Sequence, residues 1–297
     1  MLHIPVLLEE SLDFLLHNLS GSYLDLTFGR GSHSQEILKR LSSNGTLVAV
    51  DRDKDAVLHG KKNIIDSRFS IHHANYSEID FLFSNEKFDG IILDLGVCST
   101  HLDEPNRGFS FQANGPLDMR MDKSKGFSAS TWINNASEIE ISDILYKYGD
   151  ERASRKIASA ILKFREKKAI ETTFELSDII QSVIKRTSKI HPATKSFQAI
   201  RIHVNEELHH LKIALSKLEK FLKLGGVVVI ISFHSLEDRI VKNFFRPEIK
   251  NFPKDIPINT SSNEIYRCIK NKVRPSIDEI KINPRSRSAV MRVFSRL

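Results

Sequence analysis

The sequence predicts an α/β fold, in which a Rossmann-like, largely parallel sheet is interrupted by an all-helical domain. Three observations carry this. Short apolar strand candidates alternate with helical stretches through the first hundred residues, the pattern becomes wholly helical after about Pro105, and it returns to strand in the run Val227–Phe233 (VVVIISF). Strands alternating with helices imply a parallel sheet joined by right-handed crossovers. An unbroken β-branched run is what a strand covered on both faces requires. The division that follows is residues 1–104 and 205–297 for the two parts of the sheet domain and residues 105–204 for the helical insertion.

Taken in order, Tyr23–Thr27 (YLDLT) is a strand running into a glycine turn at Gly29–Gly31, followed by a helix over Ser32–Leu41. Thr46–Val50 (TLVAV) is a second strand ending at Asp51, Phe69–His72 a weaker third, and Gly90–Leu93 a fourth ending at Asp94. Between Pro105 and Ile190 no strand is expected. Ile139–Tyr148 and Glu151–Phe164 space their apolar residues at three and four, as helices do. A Lys195–Leu211 helix would bury Phe197, Ile200, Val204, Leu208 and Leu211 as one stripe. After Val227–Phe233, the polar stretch Arg246–Asn283 reads as loop, and Ala289–Phe294 (AVMRVF) as an edge or hairpin strand.

Composition bounds the partners. The chain has 297 residues, 40% of them apolar and 27% charged, which describes an ordered globular protein. A formal charge of +7 is compatible with a polyanionic partner without requiring one. Its two cysteines, Cys98 and Cys268, form no C-x-x-C pair, so neither a disulfide scaffold nor a zinc site is expected. Glu9, Glu10 and Asp13 interrupt the N-terminal apolar run, and no signal-peptide core or membrane span is found. The expected compartment is the cytoplasm.

The segment Asp25-Leu-Thr-Phe-Gly29-Arg-Gly31-Ser-His33 stands at the carboxyl end of the first strand, where a nucleotide-type ligand meets such a sheet. Asp51, at the end of the second strand, is placed to accept hydrogen bonds from ribose hydroxyls. Two details favour a methyl donor over a dinucleotide. Ser34 stands where G-x-G-x-x-G has its third glycine, and Asp25 precedes the first glycine by four. A carboxylate there repels a pyrophosphate but suits the ammonium and sulfonium of S-adenosylmethionine. Asp94 ends the fourth strand at the same sheet edge, either as a ligand contact or as a turn aspartate.

These residues, with others in order along nearly the whole chain, resemble the RsmH (MraW) family of small-subunit ribosomal RNA cytosine-N4 methyltransferases. The matching segments are His3-Ile-Pro-Val-Leu-Leu-Glu-Glu10, the glycine turn, Asp94-Leu-Gly-Val, Arg107-Gly-Phe-Ser-Phe111 and Gly115-Pro-Leu-Asp-Met-Arg-Met-Asp122. They continue through Tyr148-Gly-Asp-Glu-Arg152, His191-Pro-Ala-Thr194, Phe197-Gln-Ala-Ile-Arg-Ile202, Ser232-Phe-His-Ser-Leu-Glu-Asp-Arg239 and Asn283-Pro-Arg-Ser-Arg-Ser288. The resemblance implies S-adenosylmethionine as cofactor and the exocyclic amine of a cytidine in the decoding region of 16S rRNA as acceptor, within the small subunit, for a monomer or homodimer. Carried over by motif, the cofactor contacts are Gly31, Ser32, His33, Asp51, Tyr76, Asp94 and His101. Three positions depart from the pattern: Tyr76 replaces a phenylalanine, Cys98 replaces a serine, and Thr100-His101 replaces Pro-Gln.

An amine conjugated with its ring is a poor nucleophile, so acceptors must hold its N–H groups and turn its lone pair. Asp94 and the carbonyls of Leu95 and Gly96 are the candidates, the D-P-P-Y sequence of DNA amino-methyltransferases being absent. Phe109 and Phe111 are either base-stacking residues or core. In Asp118-Met-Arg120-Met-Asp122 an extended backbone would set the charges on one face, for substrate or as a salt-bridge strip. Gln198, Arg201 and Asn205 share a polar helix side, and His234 is a packed histidine or a site residue. Lys163–Lys168, Lys185–Lys189, Arg285, Arg287 and Arg292 are candidate phosphate contacts. The alternatives are a methyltransferase acting on DNA or another RNA, a dinucleotide oxidoreductase, and a non-catalytic RNA-binding module.

Overall fold

The computed structural model describes residues 5–184, 191–246 and 265–297. Two sequence features therefore lie outside the described residues: His3-Ile4 of the N-terminal motif and the Lys185–Lys189 cluster. Residues 247–264 of the stretch read as loop are outside them too. The chain divides into two units, Met1–Gly96 with Leu208–Leu297, and Val97–Glu207.

In the first unit the order is α1 (Leu8–Leu15), β1 (Ser22–Asp25), α2 (Ser32–Arg40), β2 (Thr46–Asp51), α3 (Lys54–Asn63), β3 (Phe69–His73) and β4 (Phe88–Asp94). The second unit supplies α4 (Ser99–Asp103), α5 (Ala129–Asn135), α6 (Glu138–Gly149), α7 (Ser154–Arg165), α8 (Thr173–Val183) and α9 (Thr194–Val204). The chain then returns through α10 (Glu207–Phe221), β5 (Leu222–Ser232), α11 (Ser235–Phe244), β6 (Tyr266–Val273), α12 (Ile277–Ile282) and β7 (Val290–Arg296).

The seven strands lie in the order β3-β2-β1-β4-β5-β7-β6. The first five are parallel, while β7 runs antiparallel to both β5 and β6. Alternation along the strands explains their apolar runs. Leu24, Ile91, Leu93, Val228 and Ile230 enter one core with Leu211, Leu215 and Leu218 of α10. Tyr23, Ile92, Val227, Val229 and Ile231 enter another with Leu12 and Leu15 of α1 and Ile37 and Leu38 of α2. Each fully buried aliphatic side chain contributes about 1.5–3 kcal/mol of transfer free energy, so Val227–Ile231, all buried, make β5 the anchor of the sheet. The order reverses between β1 and β4. In open sheets that reversal opens a crevice at the strands' carboxyl ends, where ligands bind.

Three expectations need correction. Ala289–Phe294 is not an edge strand: β7 is interior, between β5 and β6. The edge is β6, inside the stretch read as loop. Its central residues are all exposed and include Arg267, Lys270 and Lys272, so no apolar alternation marks it. The Lys195–Leu211 helix is two helices, parted where Glu206 takes a left-handed φ of 48°. Its stripe is shared out accordingly, Phe197 and Ile200 to the helical unit's core and Leu211 to the sheet's. No described helix is long and apolar enough to cross a membrane.

Candidate active site

Between β1 and α2 the chain must turn sharply. Gly29 (φ 56°) and Gly31 (φ 77°) both adopt left-handed backbone. A Cβ on Gly31 would lie 2.5 Å from the Phe28 ring, so a side chain here would strain the backbone and displace that ring. Asp51, at the end of β2, fastens the turn: its Oδ2 accepts the Gly29 N–H at 2.7 Å and its Oδ1 the Asp53 N–H at 2.7 Å. Ser32 and His33 open α2, with His33 buried. Tyr76, half-buried, begins a short 3₁₀ turn capped by Asn75.

Asp25 is 2% exposed. Its Oδ1 accepts the Thr27 N–H at 3.0 Å and its Oδ2 the Ser34 hydroxyl at 2.6 Å. Burial pushes its carboxyl up to about 6 against the pull of those two hydrogen bonds. Ser34, noticed in the sequence only as a missing glycine, is thus the partner of the buried carboxyl. Asp94 follows on the neighbouring strand, where Asp25 pairs in register with Ile92. Its N–H donates to the Thr27 hydroxyl at 2.6 Å. Its Oδ2 stands 3.7 Å from His33 Nδ1, while the buried Oδ1 has no hydrogen-bond partner among the described residues. Burial, with Asp25 and Glu237 nearby, holds this carboxyl well above the usual range.

Glu237, passed over in the sequence beyond its place beside His234, is 2% exposed. It lies at the start of α11, where its Oε2 accepts the N–H groups of Phe233 (2.8 Å) and His234 (3.3 Å). His234 caps the same helix by accepting the Glu237 N–H, a reciprocal capping box with histidine in the role usually taken by serine or threonine. The signal that could have found it is the spacing of His234 and Glu237 directly after the strongest strand. Gly31, Ser32, His33, Asp51, Tyr76 and Asp94 are therefore all in the sheet unit, at or beyond the carboxyl ends of adjacent strands. The donor set fits a cationic ligand: a buried, unpartnered carboxylate oxygen costs several kcal/mol unless a proton or a positive charge meets it.

The remaining candidates belong mostly to the helical unit. His101, 5% exposed, stacks on Phe109 at 4.8 Å, and Phe109 is core, not a free stacking face. Cys98 lies beside it. Burial alone would raise its thiol, but hydrogen bonds from His101 and Thr100 outweigh that and hold it below the usual range. Phe111 is half-buried and stacks on His191 at 4.4 Å.

The Asp118–Asp122 backbone is not extended, because Met119 turns at φ 61°. Met119 and Met121 are buried, and Asp118 and Arg120 form a two-pronged ion pair at 2.8 and 3.0 Å. Asp122 turns to the Ser124 hydroxyl at 2.6 Å. Asn205 is buried at the end of α9, accepting the Met121 N–H (2.8 Å) and donating to the Met119 carbonyl (2.7 Å). Arg201 is gripped by Glu207 at 2.8 and 2.9 Å, while Gln198 is half-exposed.

In the sheet unit, Arg285 and Arg287 are exposed on the 3₁₀ turn Pro284–Ser288. Arg292 is not a surface cation. It is 5% exposed and pairs with Asp238 at 2.7 and 3.0 Å, because β7 is interior and its guanidinium needs a counter-charge. In the Lys163–Lys168 cluster, Lys168 pairs with Glu175 and Arg165 donates to the carbonyls of Ile133 and Ala136.

The whole chain, residues 1–297, matches the MraW methylase family. The ribosomal RNA small subunit methyltransferase H of Nitrosomonas eutropha is 45% identical, over 100% of this chain and 98% of its own. That of Caldicellulosiruptor saccharolyticus is 46% identical over 99% of each. Likeness to solved structures is slight: a putative rRNA-methylase from Clostridium thermocellum aligns over 100% of both chains at 12% identity, with a TM-score of 0.45. Full-length matches of this closeness, on a sheet whose switch point carries a glycine turn and the neighbouring carboxyls Asp25 and Asp94, show that the chain belongs to the MraW methylase family and is an S-adenosylmethionine-dependent methyltransferase.

Proposed function

We propose that this methyltransferase acts on small-subunit ribosomal RNA, and that its acceptor is the exocyclic N4 amine of a cytidine in the decoding region of 16S rRNA. The ribosomal substrate is supported by the names of the relatives, which are small-subunit rRNA methyltransferases over their full length. The amine is supported by one observation above all: a buried Asp94 oxygen at the end of β4 that accepts no hydrogen bond among the described residues.

When bound, S-adenosylmethionine supplies a methyl carbon already attached to a good leaving group. The chain's own work is therefore alignment and the holding of the amine's two N–H groups. In our reading Gly31, Ser32, His33, Asp51 and Tyr76 hold the cofactor. Asp94 faces both cofactor and amine, its carboxyl oxygen receiving an amine N–H so that the nitrogen lone pair turns out of conjugation. The carbonyls of Leu95 and Gly96 would take the second N–H. His101 is left to the core of the helical unit. Arg285 and Arg287 are assigned to phosphates and Gln198 to the RNA, whereas Asp118, Arg120, Arg201 and Asn205 hold the protein together. The reaction would take place in the cytoplasm, on RNA of the small subunit.

Gene deletion followed by mass mapping of modified nucleosides in 16S rRNA tests this. Loss of one N4-methylcytidine, restored by the intact gene and not by an Asp94→Asn copy, is the expected result. Unchanged N4-methylcytidine in the deletion strain would remove the proposal.

A further inference from the structure

Two neighbouring carboxyls of the sheet unit, the buried Asp25 and the half-buried Asp94, lack the counter-charge that Lys223 gives the buried Asp89 of the same unit. Asp25 on β1 accepts only from neutral donors, the Thr27 N–H and the Ser34 hydroxyl. Asp94 on β4 has the His33 ring 3.7 Å from one oxygen and nothing hydrogen-bonded to the other. The further charged neighbours are chiefly acidic: Asp51 from β2 acts on Asp25, and Glu237 from α11 acts on Asp94. His234, at the start of α11, lies against Glu237 at 3.2 Å. Among the described residues no lysine or arginine makes an ion pair with Asp25 or Asp94. Adjacent carboxyls in this condition, one buried and the other with a buried oxygen, cannot both ionise cheaply, and they share protons as a unit.

We infer that the Asp25–Asp94 pair exchanges a proton for the sulfonium charge, so that the site distinguishes the methyl donor from its demethylated product by charge. The donor carries a sulfonium, while the product carries a neutral thioether and is otherwise identical around its amino-acid end. With the product bound, or with nothing bound, the pair keeps a proton. When the donor binds, its positive charge takes the proton's place and the proton leaves to solvent. Rising pH therefore favours donor over product. Asp25 acts here as a positioning residue, setting the proton affinity of Asp94 across the strand pair. The inference rests on the placement of the cofactor beside Asp94.

Titration calorimetry of the intact protein near pH 7, in phosphate and in Tris, counts protons released with each ligand. S-adenosylmethionine should release more protons than S-adenosylhomocysteine, by a fraction approaching one. The affinity ratio of the two should rise with pH, by at most about tenfold per unit. Asp25→Asn, which keeps an acceptor for Ser34, should shrink the difference in proton count. Equal proton release by the two bound ligands would overturn the inference alone. A difference unaltered in folded Asp25→Asn would overturn the part given to Asp25. Should that variant not fold, an affinity ratio in the wild-type protein that stays flat from about pH 5.5 to 8 would decide against the inference. If neither ligand binds, the cofactor placement itself is wrong.

Discussion

Replacing Asp25 by Asn should stabilise the ligand-free protein, and more so as the pH rises. The carboxyl titrates near 3.8 when exposed and at about 6 in the fold. A group whose folded value is raised is best tolerated below its unfolded value, and the stability it allows is lost as pH climbs through its folded value. The difference of roughly two pKa units amounts to about 3 kcal/mol at neutral pH, of which about 2 kcal/mol appears between pH 4.5 and 7.5. No discount for solvent is needed, since the group is buried. Asn cannot ionise and can still accept from Thr27 or Ser34. The gap between Asp25→Asn and wild type should therefore widen by at least about that 2 kcal/mol over this range, because Asp94, whose proton affinity Asp25 raises, adds a change of the same sign while groups remote from the pair cancel. Fluorescence is the wrong probe, because the single tryptophan, Trp132, sits in the helical unit. Native-state hydrogen exchange of β1 and β4 amides reports on the correct unit. A gap independent of pH, or a variant weaker at pH 7.5 than at 4.5 relative to wild type, would refute the reasoning.

Asp94→Asn should lower methyl incorporation into small-subunit RNA by about 10²–10³, the range for removing one well-placed polar group at a reacting centre, whereas Cys98→Ser should change it little; a radiolabelled-donor assay compares them. Arg285→Ala with Arg287→Ala should weaken RNA binding and reduce the slope of log affinity against log salt by about 1–2, seen in filter binding across a salt series. Arg292→Ala should instead cost stability, by less than the roughly 3–5 kcal/mol of a fully buried pair because water reaches the partly exposed Asp238, as denaturant titration would show. Gly31→Ala should cost at least about 1–2 kcal/mol for the left-handed backbone alone and displace Phe28; calorimetry should also show weaker donor binding.

Most of the sheet was legible because each buried strand writes its burial into apolar runs: β1, β2, β4 and β5 all lie where such runs fall. What escaped is physically uniform. The edge strand β6 is held by main-chain pairing with β7, and its exposed side chains carry no pattern. The break at Glu206 was hidden because the apolar spacing continues through it, though the residues on either side serve different cores. Within the site, the glycine turn, Asp25, Asp51 and Asp94 stood out through residue type and position. Ser34 did not, because its importance lies in the Asp25 carboxyl it donates to, and Glu237 stood out only as an acidic neighbour of His234, its burial and its grip on the start of α11 being invisible in residue type. Arg292 misled in the opposite way: between Met291 and Val293 it reads as an exposed cation, while its partner Asp238 is far off in sequence.

The helical unit is threaded into the chain between β4 and β5, two strands that lie side by side in the sheet. As the chain emerges from the ribosome, β1 to β4 appear first, and all of Val97–Glu207 must follow before β5 can be made. The growing protein thus exposes the unpaired edge of β4 for the whole of that interval. Early folding of the inserted helices would draw the two ends of the gap together and cut the loop-closure entropy that β4–β5 pairing must overcome, a cost that grows with the logarithm of the open length. The last strands to arrive, β6 and β7, then close the edge that β5 leaves. A nascent chain stalled just short of β5 should therefore be the species most prone to aggregate, and the one on which chaperones act.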